Sequence, residues 1–486
     1  MAKEYEIKSS DGESLTFPAS WMEGVSRPFS DCTSLTSVSI PEGVTEIDDY
    51  AFDGCTSLSS VTIPSSVTKI GKFAFARCIS LTTISIPGNV ADIEVCAFVC
   101  CTSLKEVRYD GTKEQWKAVE KEIDWYKNTC VQEVFCSDGT VELPSYSIED
   151  GVLEGWYHLV SEVIIPEGVT KIGRGAFSGC RLLASVSIPE GVTEIDDYAF
   201  EDCTSLTSII IPECVTEIGC DVFNGCTSLS SVNIPSGVTK ICEGVFSECK
   251  SLTAITIPEA VTKIDEYAFV GCVSLTFVTI PSTVREIEKC TFAGCMSLKE
   301  IHYDGTKEQW KAVKKGIDWY KNTYVQKVFC SDDTVELPAY NIEGDVLECW
   351  YHLISEVVIP EDVTKIDAFA FSGCKTLASV TIPNGVMKIG EHSFSGCTSL
   401  TSVTIPESVT KIGYSAFSNC TSLASVNIIG CLMEIDNYAF RSCSSLKEIR
   451  YGGTKKQWKA VKKEPEWNDG VPAEYVVCTD GTVKLQ

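Results

Sequence analysis

Most of the usual signs of chemistry are missing from this chain. No run of about 18 apolar residues occurs, so nothing in it reads as a membrane-spanning helix. Basic residues are in deficit, 40 Lys and Arg against 67 Asp and Glu. The resulting net charge of −27 lacks the basic footprint that nucleic acids and anionic membranes require. Only four histidines exist, His158, His302, His352 and His392. His158 and His352 occupy the same W-Y-H-L motif 194 residues apart, so they follow a duplication and form no cluster. There is no C-x-x-C, H-E-x-x-H, G-x-S-x-G, dinucleotide-binding or EF-hand pattern. Serine is plentiful, but it falls in T-S-L strand starts with no His–Asp pair at hand. These absences predict a non-enzyme that binds neither metal nor cofactor. The opening MAKEYEIKSSDGESLTF has no apolar core of a secretory signal, and no lipidation motif is present. As written, the sequence predicts a soluble cytoplasmic protein.

What the chain does have is a clock. At 486 residues with 44% hydrophobic content it exceeds a single core, so it should be several domains or a repeat array. Ile-Pro recurs every 23 residues at Ile40, Ile63 and Ile86, again from Ile165 through Ile280, and again at Ile359, Ile382 and Ile405. Phe17-Pro18 lies one step before Ile40, and Ile428 keeps the beat without its proline. F-x-x-C follows the same register fourteen times, in groups of four, six and four.

In the unit spanning residues 32–52, Val38 and Ile40 share one face of a strand because side chains alternate. Pro41 lacks an N–H and ends the strand; Val44 and Ile47 return the chain across the core, and Ala51-Phe52 inserts a ring beneath the next strand. One such unit cannot bury its own apolar face, whereas stacked copies can. The pattern L-x-x-V-x-I-P-x-x-V-x-x-I-x-x-x-A-F-x-x-C covers most of the chain and resembles the leucine-rich repeats of the BspA-like bacterial surface-protein family. The expected fold is an α/β repeat solenoid. It is a curved leucine-rich-repeat-type array with one parallel sheet and 23-residue coils, each block closed by a short helix and a β-hairpin. The resemblance further implies adhesion or host interaction, with a matrix or cell-surface protein as partner and a cell-surface or secreted location. The alternative is an intracellular scaffold or spacer with no dedicated ligand.

Three segments interrupt the clock. YDGTKEQWKAV spans residues 109–119, recurs at 303–313, and returns as YGGTKKQWKAV at 451–461. Its lone Gly and its Thr-before-Lys order fail as a phosphate loop. Each Tyr lies 23 residues after an Ile of the clock, so the segment is the last coil of a block. Thr112 and Gln115 form a capping box that opens a helix over 113–121, with Trp116 and Val119 on one face. A second Trp follows nine residues later, giving the pairs Trp116 and Trp125, Trp310 and Trp319, Trp458 and Trp467. Residues 131–143 carry an Asp-Gly hairpin signal, related pieces sit at 325–337 and 475–485, and residues 7–12 look like another copy. The Trp pairs read as structural caps, and the chain divides into blocks 1–146, 147–340 and 341–486.

Fourteen of the 26 cysteines share one phase of the repeat. Copies about 5 Å apart on stacked strands lie within disulfide reach. Their parallel Cβ vectors and full occupancy favour a ladder of buried free thiols. The residue before the second Ile runs Glu46, Lys69, Asp92, then Lys171, Glu194, Glu217, Lys240, Lys263, Glu286, which reads as a solvated edge of weak cross-rung pairs. Binding belongs instead on the column just before each strand-ending Ile, which points away from the core. Most of that column is Ser or Thr, ordinary strand chemistry. Arg108, Ile164, Ile210, Asn233 and His302 break it, and Phe277 breaks the neighbouring column; these six are the candidate binding face for a protein, or a glycan. Oligomeric state is not legible.

Overall fold

The computed structural model describes residues 4–9, 14–18 and 27–485. They fall into two compact units, Met1–Val238 and Thr239–Gln486, so the division lies inside the second run of repeats. Both units are built from the same coil.

Each coil contributes two strands, and therefore two parallel ladders where one was expected. The first ladder holds the S-V-S segments: Leu35–Ser39 lies beside Ser60–Thr62 with Val38 opposite Val61, and Thr83–Ile86 beside Glu106–Tyr109. The second ladder is made of two-residue strands, such as Glu46–Ile47, Lys69–Ile70 and Asp92–Ile93, successive ones paired at a spacing of 23 residues. Between the ladders runs a tight turn closed by the N–H of the valine donating to the proline carbonyl, as in Val67 to Pro64 at 3.1 Å. Gly43 and Gly168 take φ of 91° and 90° there, the left-handed region that glycine enters without steric cost.

The third side of the coil is the A-F-x-x-C turn. Phe52, Phe75 and Phe98 are fully buried, and successive rings stack 5.3 Å apart. No disulfide joins any of the 26 cysteines. Buried thiols inside a run also have a task that spacing did not reveal: they donate to the phenylalanine carbonyl one coil earlier. Cys101 Sγ reaches Phe75 O at 3.0 Å, Cys226 reaches Phe200 O at 3.1 Å, and Cys443 reaches Phe417 O at 3.0 Å. Burial pushes the Cys226 thiol up to about 12, so it stays protonated and unreactive at neutral pH.

Among the described residues, helix is confined to three six-residue segments, Lys113–Ala118, Lys307–Ala312 and Lys455–Ala460, and one 3-10 turn at Ile123–Tyr126. The capping box is present in all three. The first helix stops earlier than expected because Val119 is extended, at φ −62° and ψ 127°, and Glu120–Lys121 joins the second ladder beside Asp92–Ile93. Lys121 then folds back. Its Nζ donates to the carbonyls of Trp116 at 2.6 Å and Val119 at 2.5 Å, and lies 4.7 Å from the Trp116 ring centre. Lys315 and Lys463 repeat this arrangement, satisfying carbonyls that a short helix would otherwise leave exposed.

After each of the first two helices come two hairpins, not one. Glu133–Cys136 with Gly139–Glu142 extends the first ladder, and Tyr146–Glu149 with Val152–Trp156 starts the second ladder of the next run. The N-terminal strands Glu4–Ser9 and Ser14–Pro18 also pair, and the former lies antiparallel on Leu35–Ser39. Phe17-Pro18 is therefore the outer strand of a hairpin, not a parallel rung; the Asp11-Gly12 turn lies outside the described residues.

Candidate binding face

The repeat fixes which side chains face outward. Along the first ladder Val and Ile at alternate positions are buried, and the residues between them are exposed: Ser39, Thr62 and Ser85 in the first run, Ser187, Thr256, Thr381 and Thr404 in the later ones. Ile164 and Ile210 occupy this column and are each 79% exposed, more than any other large apolar side chain described. They lie in the first unit, with Ser187 on the coil between them and in register with Ile164. Phe277, in the second unit, is 42% exposed and sits opposite Ala254 and Glu300.

The other three candidates are already engaged. Asn233 is exposed, yet its side chain accepts from the Ile211 N–H at 2.9 Å and donates to the Ile211 carbonyl at 2.8 Å. It takes over the ladder where the strands Ser208–Ile209 and Ser231–Val232 stop one residue short. Arg108 Nε donates to Glu106 at 2.6 Å, and His302 Nε2 lies 3.0 Å from Glu300. His302 also stacks on Phe329, ring centres 5.1 Å apart, and Arg108 pairs in register with Phe135. Phe135 and Phe329 extend the same column from the cap strands. Their 27-residue offset, in place of 23, kept them out of the sequence reading. Ile164 and Ile210 share one patch, Phe277 and His302 lie on neighbouring rungs, and Arg108 ends the first run.

The second ladder presents charge, and most of that charge is paired. Lys171 Nζ lies 2.6 Å from Glu194 and 3.0 Å from Asp196, whose hydrogen bonds hold its ammonium well above the usual lysine range. Lys69 bonds Glu94 at 2.7 Å, Lys263 bonds Glu288 at 2.9 Å, and Lys411 bonds Glu434 and Asp436, both at 3.0 Å. The alternation fails at Lys365, Lys388 and Lys411, which stack in register; Lys365 turns to Asp367 on its own coil.

The Trp pairs are buried against the end of each run. Trp116 packs on Tyr109 and Trp125 at 5.1 and 5.7 Å, and Trp125 meets Phe98 edge-on at 5.9 Å. Trp310 with Trp319 and Trp458 with Trp467 repeat the contacts. Where a new run starts, Asn128 stands in for the absent coil. Its Oδ1 accepts from Cys180 Sγ at 3.2 Å, in place of a phenylalanine carbonyl, and its Nδ2 donates to Ser178 O at 2.9 Å. Asn322 serves Cys374 and Ser372 in the same way. Among the described residues, no three His, Cys, Asp or Glu side chains are placed to hold a metal ion. Nor is any described helix long and apolar enough to cross a membrane.

Comparison with known proteins agrees with this geometry. The family described as BspA type leucine rich repeat region matches residues 25–151, 146–276, 262–313 and 348–460. A leucine rich cell surface protein from Faecalibacterium prausnitzii is 26% identical, with 66% of this chain and 98% of that one covered and a TM-score of 0.44. A leucine-rich repeat protein from Bacteroides ovatus is 23% identical over 91% of this chain and 94% of its own, with a TM-score of 0.31. The leucine rich repeat protein of T. pallidum is 28% identical over 37% of this chain and 86% of its own, TM-score 0.34. No curated protein matches. The chain belongs to the BspA-type leucine-rich repeat family.

Proposed function

We propose that this protein is a non-enzymatic binding protein that presents the outward columns of its first ladder to a protein partner, with a glycan as the other ligand class such a face takes. Solenoids of stacked repeats offer extended sheet surfaces of this kind. The observation that carries the reading is the exposure of Ile164 and Ile210, 79% each, on a column made mostly of small hydroxyl residues. An isoleucine this exposed costs solubility, and a partner that covers it removes that cost. By family resemblance the role is adhesion at a bacterial surface. The runs 1–146, 147–340 and 341–486 act as capped modules, with Trp116, Trp125, Trp310, Trp319, Trp458 and Trp467 closing their cores.

Surface plasmon resonance of the immobilised chain against fibronectin, laminin, type I collagen and a glycan panel tests this. The reading expects at least one ligand whose affinity drops tenfold or more in Ile164→Ser/Ile210→Ser or in Phe277→Ser, with melting unchanged. A panel with no ligand, or one whose binding ignores all three positions, overturns it.

A further inference from the structure

The patch around Ile164 and Ile210 has a second property that sets it apart from the rest of the first ladder. Three residues beyond each member of the column, just past the Pro, the chain makes its tight turn. In the first three coils of the second run that turn carries Glu167, Glu190 and Glu213. All three are exposed. The turns are held alike, by Val169, Val192 and Val215 donating to Pro166, Pro189 and Pro212 at 3.5, 3.1 and 3.0 Å. They also stack, Thr193 N–H to Thr170 O at 2.8 Å and Thr216 N–H to Thr193 O at 3.0 Å. Three carboxylates thus stand on successive rungs about 4.8 Å apart, a spacing at which like charges repel.

No cation offsets them from within. Two basic residues of these coils are engaged elsewhere, Lys171 with Glu194 and Asp196, and Arg174 with Asp197 at 3.4 Å. Among the described residues, none of the three glutamates forms an ion pair. Glu213 accepts from the Ser236 N–H and hydroxyl, both at 3.0 Å, which holds its carboxyl below the usual range and keeps it charged. The corresponding turns elsewhere are mixed: Glu42, Ser65 and Gly88 in the first run, Glu361, Asn384 and Glu407 in the third. Among the described residues, acid on three successive turns and exposed isoleucine in the outward column coincide on this stretch, where Ile164 and Ile210 flank Ser187.

Resting on the binding reading above, we propose that this patch docks a cationic amphipathic helix of a partner protein. Two apolar side chains of the helix cover Ile164 and Ile210, and its Lys or Arg residues pair with Glu167, Glu190 and Glu213. The two isoleucines lie two rungs apart, about 10 Å, which is near the 10.5 Å between positions i and i+7 of a helix. The three carboxylates follow the same direction within about 10 Å of that column, since only three residues separate the two. Asn233 has a place in this arrangement as a positioning residue. By gripping both backbone groups of Ile211 it fixes the chain where the ladder has ended, next to Ile210.

The test uses the full chain and a fluorescein-labelled 14-residue Leu/Lys helical peptide, read by fluorescence anisotropy, with its Leu/Glu counterpart as the matched probe of opposite charge. The Leu/Lys peptide is expected to bind and the Leu/Glu peptide not to. Ile164→Ser/Ile210→Ser should weaken binding at least tenfold although it changes no charge. Glu167→Gln/Glu190→Gln/Glu213→Gln should weaken it comparably and flatten its salt dependence. A control triple on exposed cap glutamates, Glu114→Gln/Glu142→Gln/Glu308→Gln, should stay within twofold. Circular dichroism melts keep loss of fold separate from loss of contact. Absence of Leu/Lys binding, indifference to the isoleucine pair, or an equal loss in the control triple each overturns the proposal. If the peptide fails while a panel ligand still depends on the first ladder, the helix chemistry falls and the broader reading stands. If neither binds, both fall.

Discussion

Within each coil the two ladders cover the same buried apolar side chains and differ in what they turn outward. On the second, lysines meet carboxylates on the same or the next rung, as Lys171 does with Glu194 and Asp196. On the first, Ile164, Ile210 and Phe277 stand in a field of hydroxyls with no partner described for their side chains. Most of the charge on the second ladder is satisfied within the chain, so it reports packing. The apolar groups on the first are not, so they mark the side where another molecule gains most by covering them. A repeat protein repeats its structural solutions, and residues that depart from the repeat without an internal partner are the ones free to carry function.

The sharpest way to break the comparison is to remove the core beneath both ladders. Phe200→Ala opens a cavity inside the ring stack and should cost about 3–5 kcal/mol, read by urea denaturation, with both faces lost together. Next comes the joint. Asn128→Ala strands the Cys180 thiol and the Ser178 carbonyl and should cost about 1–3 kcal/mol, and Asn322→Ala should match it. A joint variant that melts like the unsubstituted chain would show that Asn128 does not replace the missing coil.

Smaller effects separate the faces themselves. Lys315→Met removes two hydrogen bonds to the helix carbonyls and should cost about 1 kcal/mol at neutral pH. Burial pushes the Lys315 ammonium down to about 8 from an ordinary value of 10.5. Between those two pH values the unfolded chain holds the proton that the folded chain has shed, so through this group stability rises with pH. Lys315→Met should flatten that rise in a pH series of urea melts. Lys171→Gln on the second ladder should cost no more than about 1 kcal/mol, an amount that fades as salt is added. Ile164→Ser/Ile210→Ser on the first should leave stability within about 0.5 kcal/mol and act on binding alone.

Much of this was open to reading from residues. The 23-residue beat, the outward column and the Trp caps follow from alternation and apolar spacing, because each coil must repeat its neighbour to stack. The second ladder stayed hidden because its strands are two residues long, as in Lys69–Ile70, too short for any periodicity to register. The second hairpin of each joint could have been found, since Asp150-Gly151 is a turn signal of the same kind as Asp138-Gly139. Asn128, Lys121 and Asn233 could not. Each acts through a backbone carbonyl or N–H that the fold brings near, and a side-chain pattern carries no trace of that. Asn233 is the instructive case, because the same deviation from Ser and Thr that made it a candidate for binding makes it a splice in the ladder.

Hydroxyl-radical footprinting of the chain, alone and with the Leu/Lys peptide, compares the two ladders in one experiment. Protection at Ile164 and Ile210, with the second-ladder peptides that contain Lys171 and Glu194 unchanged, is the result expected if the first ladder is the binding face. Protection on the second ladder, with Ile164 and Ile210 as reactive as before, would contradict it.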